Sequence, residues 1–153
     1  MAYDGPMQIS TLPSDPILTV LVVGQPGPGK CGLLEWLADI PGLRLSTADD
    51  LAGAALAAVA ASPHHVVILD FHGIPLTVRT AVRRLKAASP STTVIVLTHD
   101  ANPVMRRYCG EAGVDAVLDK TSDFELLRYA LNLKRRVLSR LPAATDELVR
   151  QEA

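Results

Sequence analysis

Four short apolar runs constrain this chain more than any other feature of its sequence. They are residues 17–23 (ILTVLVV), 66–69 (VVIL), 93–97 (TVIVL) and 116–118 (AVL). All but the last are rich in β-branched residues and continuous rather than alternating. A strand with one wet face alternates polar and apolar residues. A strand covered on both faces does not, and this is the pattern of parallel strands held between helical layers. Leu43-Arg44-Leu45-Ser46 does alternate, which suits an edge strand with one face in water.

Segments of helical period lie between the runs. Leu33, Leu34, Trp36, Leu37 and Ile40 form one apolar stripe, and Leu51, Ala54, Ala55, Ala58 and Val59 a second. Val78, Val82 and Leu85 form a third, which Pro90 stops. The fourth opens at Asn102-Pro103, an N-cap followed by proline at the first helical position. The fifth opens with Ser122-Asp123-Phe124-Glu125, a capping-box pattern, and runs to about Leu141. Strict alternation of strands and helices, joined by right-handed crossovers, predicts a doubly wound α/β sandwich. The expected sheet has five parallel strands in the order 2-1-3-4-5, with five helices on its two faces. Residues 1–16, with Pro6, Pro13 and Pro16, read as a loose leader, and 142–153 as a short amphipathic or frayed tail. That leaves one domain over 17–141.

Composition narrows the function. Lys plus Arg number 15 and Asp plus Glu 16, so bulk charge does not point to nucleic acid or an anionic membrane. Aromatics are 4%, too few for base-stacking platforms. The apolar runs fall short of the roughly 18 residues a membrane helix needs. No Lys or Arg precedes Lys30, so the start lacks the charged region of a signal peptide. Cys31 and Cys109 have no metal-type spacing and read as two reduced thiols of a cytoplasmic protein.

Ligands of open parallel sheets bind outside the carboxyl ends of the strands. Those ends carry Gly24-Gln25-Pro26-Gly27-Pro28-Gly29-Lys30, then Ser46-Thr47, then Asp70 with Phe71 and His72, then Thr98-His99-Asp100, then Asp119-Lys120. An acceptor carboxylate, a hydroxyl and an ammonium therefore meet on one rim, the set a phosphoryl group requires around it. His72 and His99 share the rim, but their spacing favours surface histidines over a metal site. His64 and His65 belong to the opposite rim and read as solvated. The basic groups Arg79, Arg83, Arg84 and Lys86, and Lys134, Arg135, Arg136 and Arg140, read as solvated helix faces.

In these residues the chain resembles the receiver domain of bacterial response regulators. The resemblance runs from about Leu18 to Val137. It is carried by VVILD ending at Asp70, by TVIVLT ending at Thr98, and by EAGVDAVLDK ending at Lys120. It implies that Asp70 is the phospho-acceptor, that Thr98 closes onto the phosphoryl group, and that Lys120 pairs with it. Three positions depart from the family pattern. Gly24 and Gln25 stand where two acidic residues hold Mg²⁺, Val117 stands at the aromatic switch position, and Pro75 comes one residue late. With Asp70 alone as metal carboxylate, Mg²⁺ is expected to bind weakly at best, and no other cofactor is expected.

The expectation is a non-enzymatic receiver without its own output domain. A phosphoryl group from a histidine kinase, or contact with another signalling protein, would be its input. Through the family resemblance it would dimerise on the surface of the fourth helix, fifth strand and fifth helix, including Met105, Tyr108, Val117, Leu127 and Leu131. The alternatives are a conventional Mg²⁺-dependent switch and a phosphate- or nucleotide-binding protein. The second rests on GQPGPGKC, which fits G-x-x-x-x-G-K with Cys31 in place of Ser or Thr. There the backbone at Gly24, Gln25, Gly27 and Gly29 would cradle phosphate and Lys30 would reach it. Cys31 is a poor ligand for a hard cation.

Overall fold

The computed structural model describes residues 16–50, 53–62, 64–70 and 78–152, with 141–152 as backbone. Five strands alternate with five helices: β1 Leu18–Val23, α1 Pro28–Ala38, β2 Leu43–Ala48, α2 Ala54–Ala61, β3 Val66–Asp70, α3 Val78–Ala88, β4 Thr93–Thr98, α4 Pro103–Ala112, β5 Ala116–Asp119 and α5 Phe124–Glu152. The strands form one parallel sheet in the order β2-β1-β3-β4-β5, as the sequence pattern predicts.

Side chains alternate across the sheet and fill two cores. On one face Val20, Val22, Ile68, Ile95, Leu97 and Leu118 pack with Leu33 and Leu37 of α1 and Leu127 and Leu131 of α5. On the other, Leu21, Val23, Val67, Leu69, Val94 and Val96 pack with helices α2, α3 and α4. Both faces are covered, which is why the central strands read as continuous apolar runs. β2 lies at the edge and is only half-buried, in keeping with its alternation.

Local chemistry sets the helix ends. Asn102 Oδ1 accepts from the Met105 N–H at 2.8 Å, with Pro103 next, so α4 begins as its sequence announces. Gly113 ends it at φ 104°, a left-handed C-cap. Asp50 Oδ1 accepts the backbone N–H groups of Gly53 (2.7 Å) and Ala54 (3.2 Å) at the start of α2, whose predicted Leu51 lies outside the described residues. The capping box of α5 closes differently from its pattern. Asp123 Oδ2 accepts the Asp119 N–H at 2.8 Å and ties the end of β5 to the helix. The backbone of α5 then continues past Leu141 and through Pro142 to Glu152.

Two sequence readings are corrected by packing. His64 and His65 are not simply solvated. His65 Nδ1 accepts from the Thr19 N–H at 2.9 Å, and His64 Nε2 lies 2.9 Å from Ser46 Oγ, so the pair ties β3 to β1 and β2. Of the residues expected on a docking surface, Met105, Val117, Leu127 and Leu131 are buried. Tyr108 is half-buried beneath the Arg79 guanidinium. The sheet takes one phase of each helix, and in α5 it takes the Leu127–Leu131 phase.

Candidate functional site

Three strands deliver the candidate groups to one rim. Asp70 ends β3 and Thr98 ends β4; Lys120 follows β5 directly. Parallel register aligns Thr98 with Asp119, and the Lys120 N–H donates to the Thr98 carbonyl at 3.0 Å. The Lys120 ammonium forms an ion pair with Asp70 Oδ1. The pair is nearly dry, the side chains being 14% and 10% exposed. Thr98 is fully buried, and its Oγ1 accepts from the Asp100 N–H at 3.1 Å. Asp119 Oδ1 accepts from the Thr121 hydroxyl and from the Thr121 N–H at 2.7 Å. Those bonds hold the Asp119 carboxyl below its usual range, opposed in part by desolvation.

Gly24 packs directly against Asp70. A Cβ built there would lie 3.1 Å from the Asp70 carbonyl oxygen and 3.2 Å from Asp70 Cβ. Glycine is thus the residue that fits the close approach of β1 to β3. Gln25 is exposed. Phe71, His72 and Pro75 lie outside the described residues. His99 and Asp100 are exposed.

Lys30 turns inward from the first turn of α1 and is buried. Its ammonium donates to the Gly24 carbonyl at 2.8 Å, to the Ala48 carbonyl at 3.1 Å and to Asp49 Oδ1 at 3.2 Å. An ammonium has three donors, and here they stitch the turn after β1 to the end of β2. Gly27 precedes α1 as its N-cap, and Gly29 is exposed in its first turn. A phosphate in the 24–30 turn would have to compete with three protein acceptors for this cation. Sequence reasoning placed Lys30 on the rim but could not see its acceptors, because Ala48 ends the next strand and Asp49 follows it.

The rim therefore joins a carboxylate, an ammonium and a buried hydroxyl at the carboxyl edge of a parallel sheet. That is the site of a flavodoxin-like α/β domain, and its strand order is that of the receiver fold. Solved structures bear this out. A pilus assembly protein, CpaE, from Burkholderia thailandensis is similar over 77% of this chain and 98% of its own, with TM-score 0.69 and 18% identity. A LuxR family DNA-binding response regulator from Silicibacter pomeroyi matches 77% of this chain and 91% of its own, with TM-score 0.62 and 25% identity. A chain from the complex of the CheA3 P1 domain with CheY6 of R. sphaeroides matches 75% of this chain and 95% of its own, with TM-score 0.62 and 19% identity. No protein-family model matches the sequence, nor does any curated protein. The chain is a receiver-like domain, with the fold of two-component response regulators.

Proposed function

We propose that this receiver-like domain signals by protein contact, with Asp70 and Lys120 held as a resident ion pair at the position of a phosphotransfer site. One observation carries the reading: the Lys120 ammonium sits on Asp70 Oδ1 in a nearly dry rim. We take the domain to span 17–141. Its partners are a histidine kinase or another signalling protein of the cytoplasm, where Cys31 and Cys109 stay reduced.

The donor set argues against Mg²⁺. That ion demands octahedral oxygen ligation and is usually anchored by one or two carboxylates. Asp70 is already matched by Lys120. Gly24 brings no side chain, its carbonyl accepts from Lys30, and Gln25 is neutral and exposed. Among the described residues no group of three His, Cys, Asp or Glu side chains could hold a metal. An acidic residue at 24 would also crowd the Asp70 backbone. The residues do not fit the ion, and no step is routed through it.

Intact mass after incubation with acetyl phosphate, with and without Mg²⁺ and beside Asp70→Asn, tests this reading. The expected spectrum shows no adduct in any arm. A single phosphoryl adduct that requires both Mg²⁺ and Asp70 would establish the conventional switch instead. Thermal stabilisation by ATP or GTP that disappears in Lys30→Ala would favour the nucleotide-binding alternative.

A further inference from the structure

The two edges of the sheet are finished differently. At the β5 edge, side chains occupy the outward backbone groups. Arg106 Nη1 donates to the Val117 carbonyl at 2.6 Å, and Asp123 Oδ2 accepts the Asp119 N–H at 2.8 Å. Among the described residues nothing does this at the β2 edge. The Gly42 carbonyl accepts from Leu18 and the Ala48 carbonyl from Gly24, so the even-numbered residues turn their amides towards β1. The amides of Leu43, Leu45 and Thr47 therefore turn outward, and no described residue bonds them. β2 also lacks the proline and the several charges that blunt an edge, with Arg44 its single ionic residue. Such a row of unpaired amides is a template for another strand.

The edge is complementary to itself. A two-fold axis normal to the sheet lays two β2 strands antiparallel, and the assembly then closes at two. Hydrogen-bonded pairs need outward amides on both strands, so odd-numbered residues must meet odd-numbered ones. Centred on Leu45, the axis pairs Leu45 with its own copy and Leu43 with Thr47 of the second copy, for about six N–H···O bonds. Arg44 then stands opposite Ser46, a charge beside a hydroxyl. Moving the axis to Arg44 would set two guanidinium side chains directly opposite, which is unfavourable. Charge thus selects the Leu45 register. The flanking helix suits it as well. Trp36 of α1 packs on Phe124 of α5, so Leu34 and Ala38 lie on the other flank of α1, beside β2. The two-fold brings α1 and its copy together on one face through these uncharged residues.

We propose that β2 is the docking edge for β2 of a second copy of this chain, antiparallel about Leu45, so that two sheets become one. The proposal goes beyond the contact-based function above by giving it a partner surface. A phosphoryl adduct on Asp70 would end that reading and leave this one standing, and a monomeric chain would do the reverse.

Sedimentation equilibrium on the full chain gives the test, with a reversible dimer as the expected result. Thr47→Pro removes an outward N–H and leaves the bonds to β1 in place, a substitution that edge strands accept. It should weaken the dimer by at least about tenfold, because two bonds are lost in each symmetric pair. The melting temperature at low concentration reports whether its monomer stays folded. Leu133→Glu, on the exposed face of α5, should leave the dimer unchanged. In a Cys31→Ser background, with Cys109 buried, Leu45→Cys should cross-link to its own copy under mild oxidation. Paired Cα atoms about 5.5 Å apart suit a disulfide. Leu133→Cys should not cross-link. A chain that stays monomeric at all concentrations overturns the proposal, whatever else covers β2. So does a dimer that Leu133→Glu breaks, or one that a folded Thr47→Pro spares. If Thr47→Pro does not fold, the Leu45→Cys cross-link decides, and its absence in a dimer refutes the pairing.

Discussion

Removing a carboxylate and an ammonium from water costs several kcal/mol each, and their attraction offsets this only when both are well placed. Asp70 and Lys120 meet that condition across the carboxyl ends of β3 and β5, with β4 between them. Removing one partner leaves the other buried and unmatched. Lys120→Met or Asp70→Asn alone is therefore expected to destabilise the fold by about 3 kcal/mol, and the double substitution by clearly less. Urea denaturation of the three variants gives the double-mutant cycle. Additive losses would show that the pair does not hold the rim together. His65 offers a second test. Burial, with smaller contributions from Lys134 and His64, pushes its ring below the ordinary value of 6.5. Its Nδ1 accepts from the Thr19 N–H and so must stay unprotonated. The unfolded chain then binds a proton that the folded chain refuses. Stability is full above about pH 6.5 and falls as pH drops towards the lowered folded value. His65→Gln should flatten that slope in denaturation curves measured between pH 5 and about 7.5. A wild-type profile that is flat, or that rises towards acid, would refute the account.

Among the elements, those whose ends are coded locally were the easiest to read. Asn102-Pro103 announced α4 because a cap needs only a side chain and the next few N–H groups. Gly42 illustrates the opposite case. It joins α1 to β2 at φ 84°, and its carbonyl accepts from the Leu18 N–H at 2.8 Å. A Cβ there would strike the Arg135 side chain, whose guanidinium donates to the Pro41 carbonyl. The left-handed backbone alone makes alanine unfavourable, and the arginine from α5 adds a clash that sequence neighbours do not reveal. Gly42→Ala is expected to cost about 1–2 kcal/mol. The cost should shrink when Arg135→Ala is added, as read by the shift in denaturation midpoint. Equal costs in both backgrounds would remove Arg135 from the explanation. The length of α5 was also misjudged: it was expected to end near Leu141, and its backbone continues to Glu152.

For the molecule as a whole, the alternation of continuous apolar runs with helical segments determined the layered parallel sheet. Parallel strands need both faces covered, and only such runs supply that. Right-handed crossovers allow more than one strand order, so the order 2-1-3-4-5 came with the receiver resemblance; strand ends then carried Asp70, Thr98 and Lys120 to one rim. Apart from that order, these conclusions follow from periods and positions along one chain. The sequence could not show which acceptors take Lys30, that His64 and His65 brace neighbouring strands, or which phase of α5 faces the sheet. Leu126 and Leu127 are chemically the same residue, about 100° apart on the helix, and only one can point at Val20 and Ile95. That choice is made by contacts between segments distant in sequence. Tertiary packing therefore decided that Leu127 fills the core and that Leu126 faces outward.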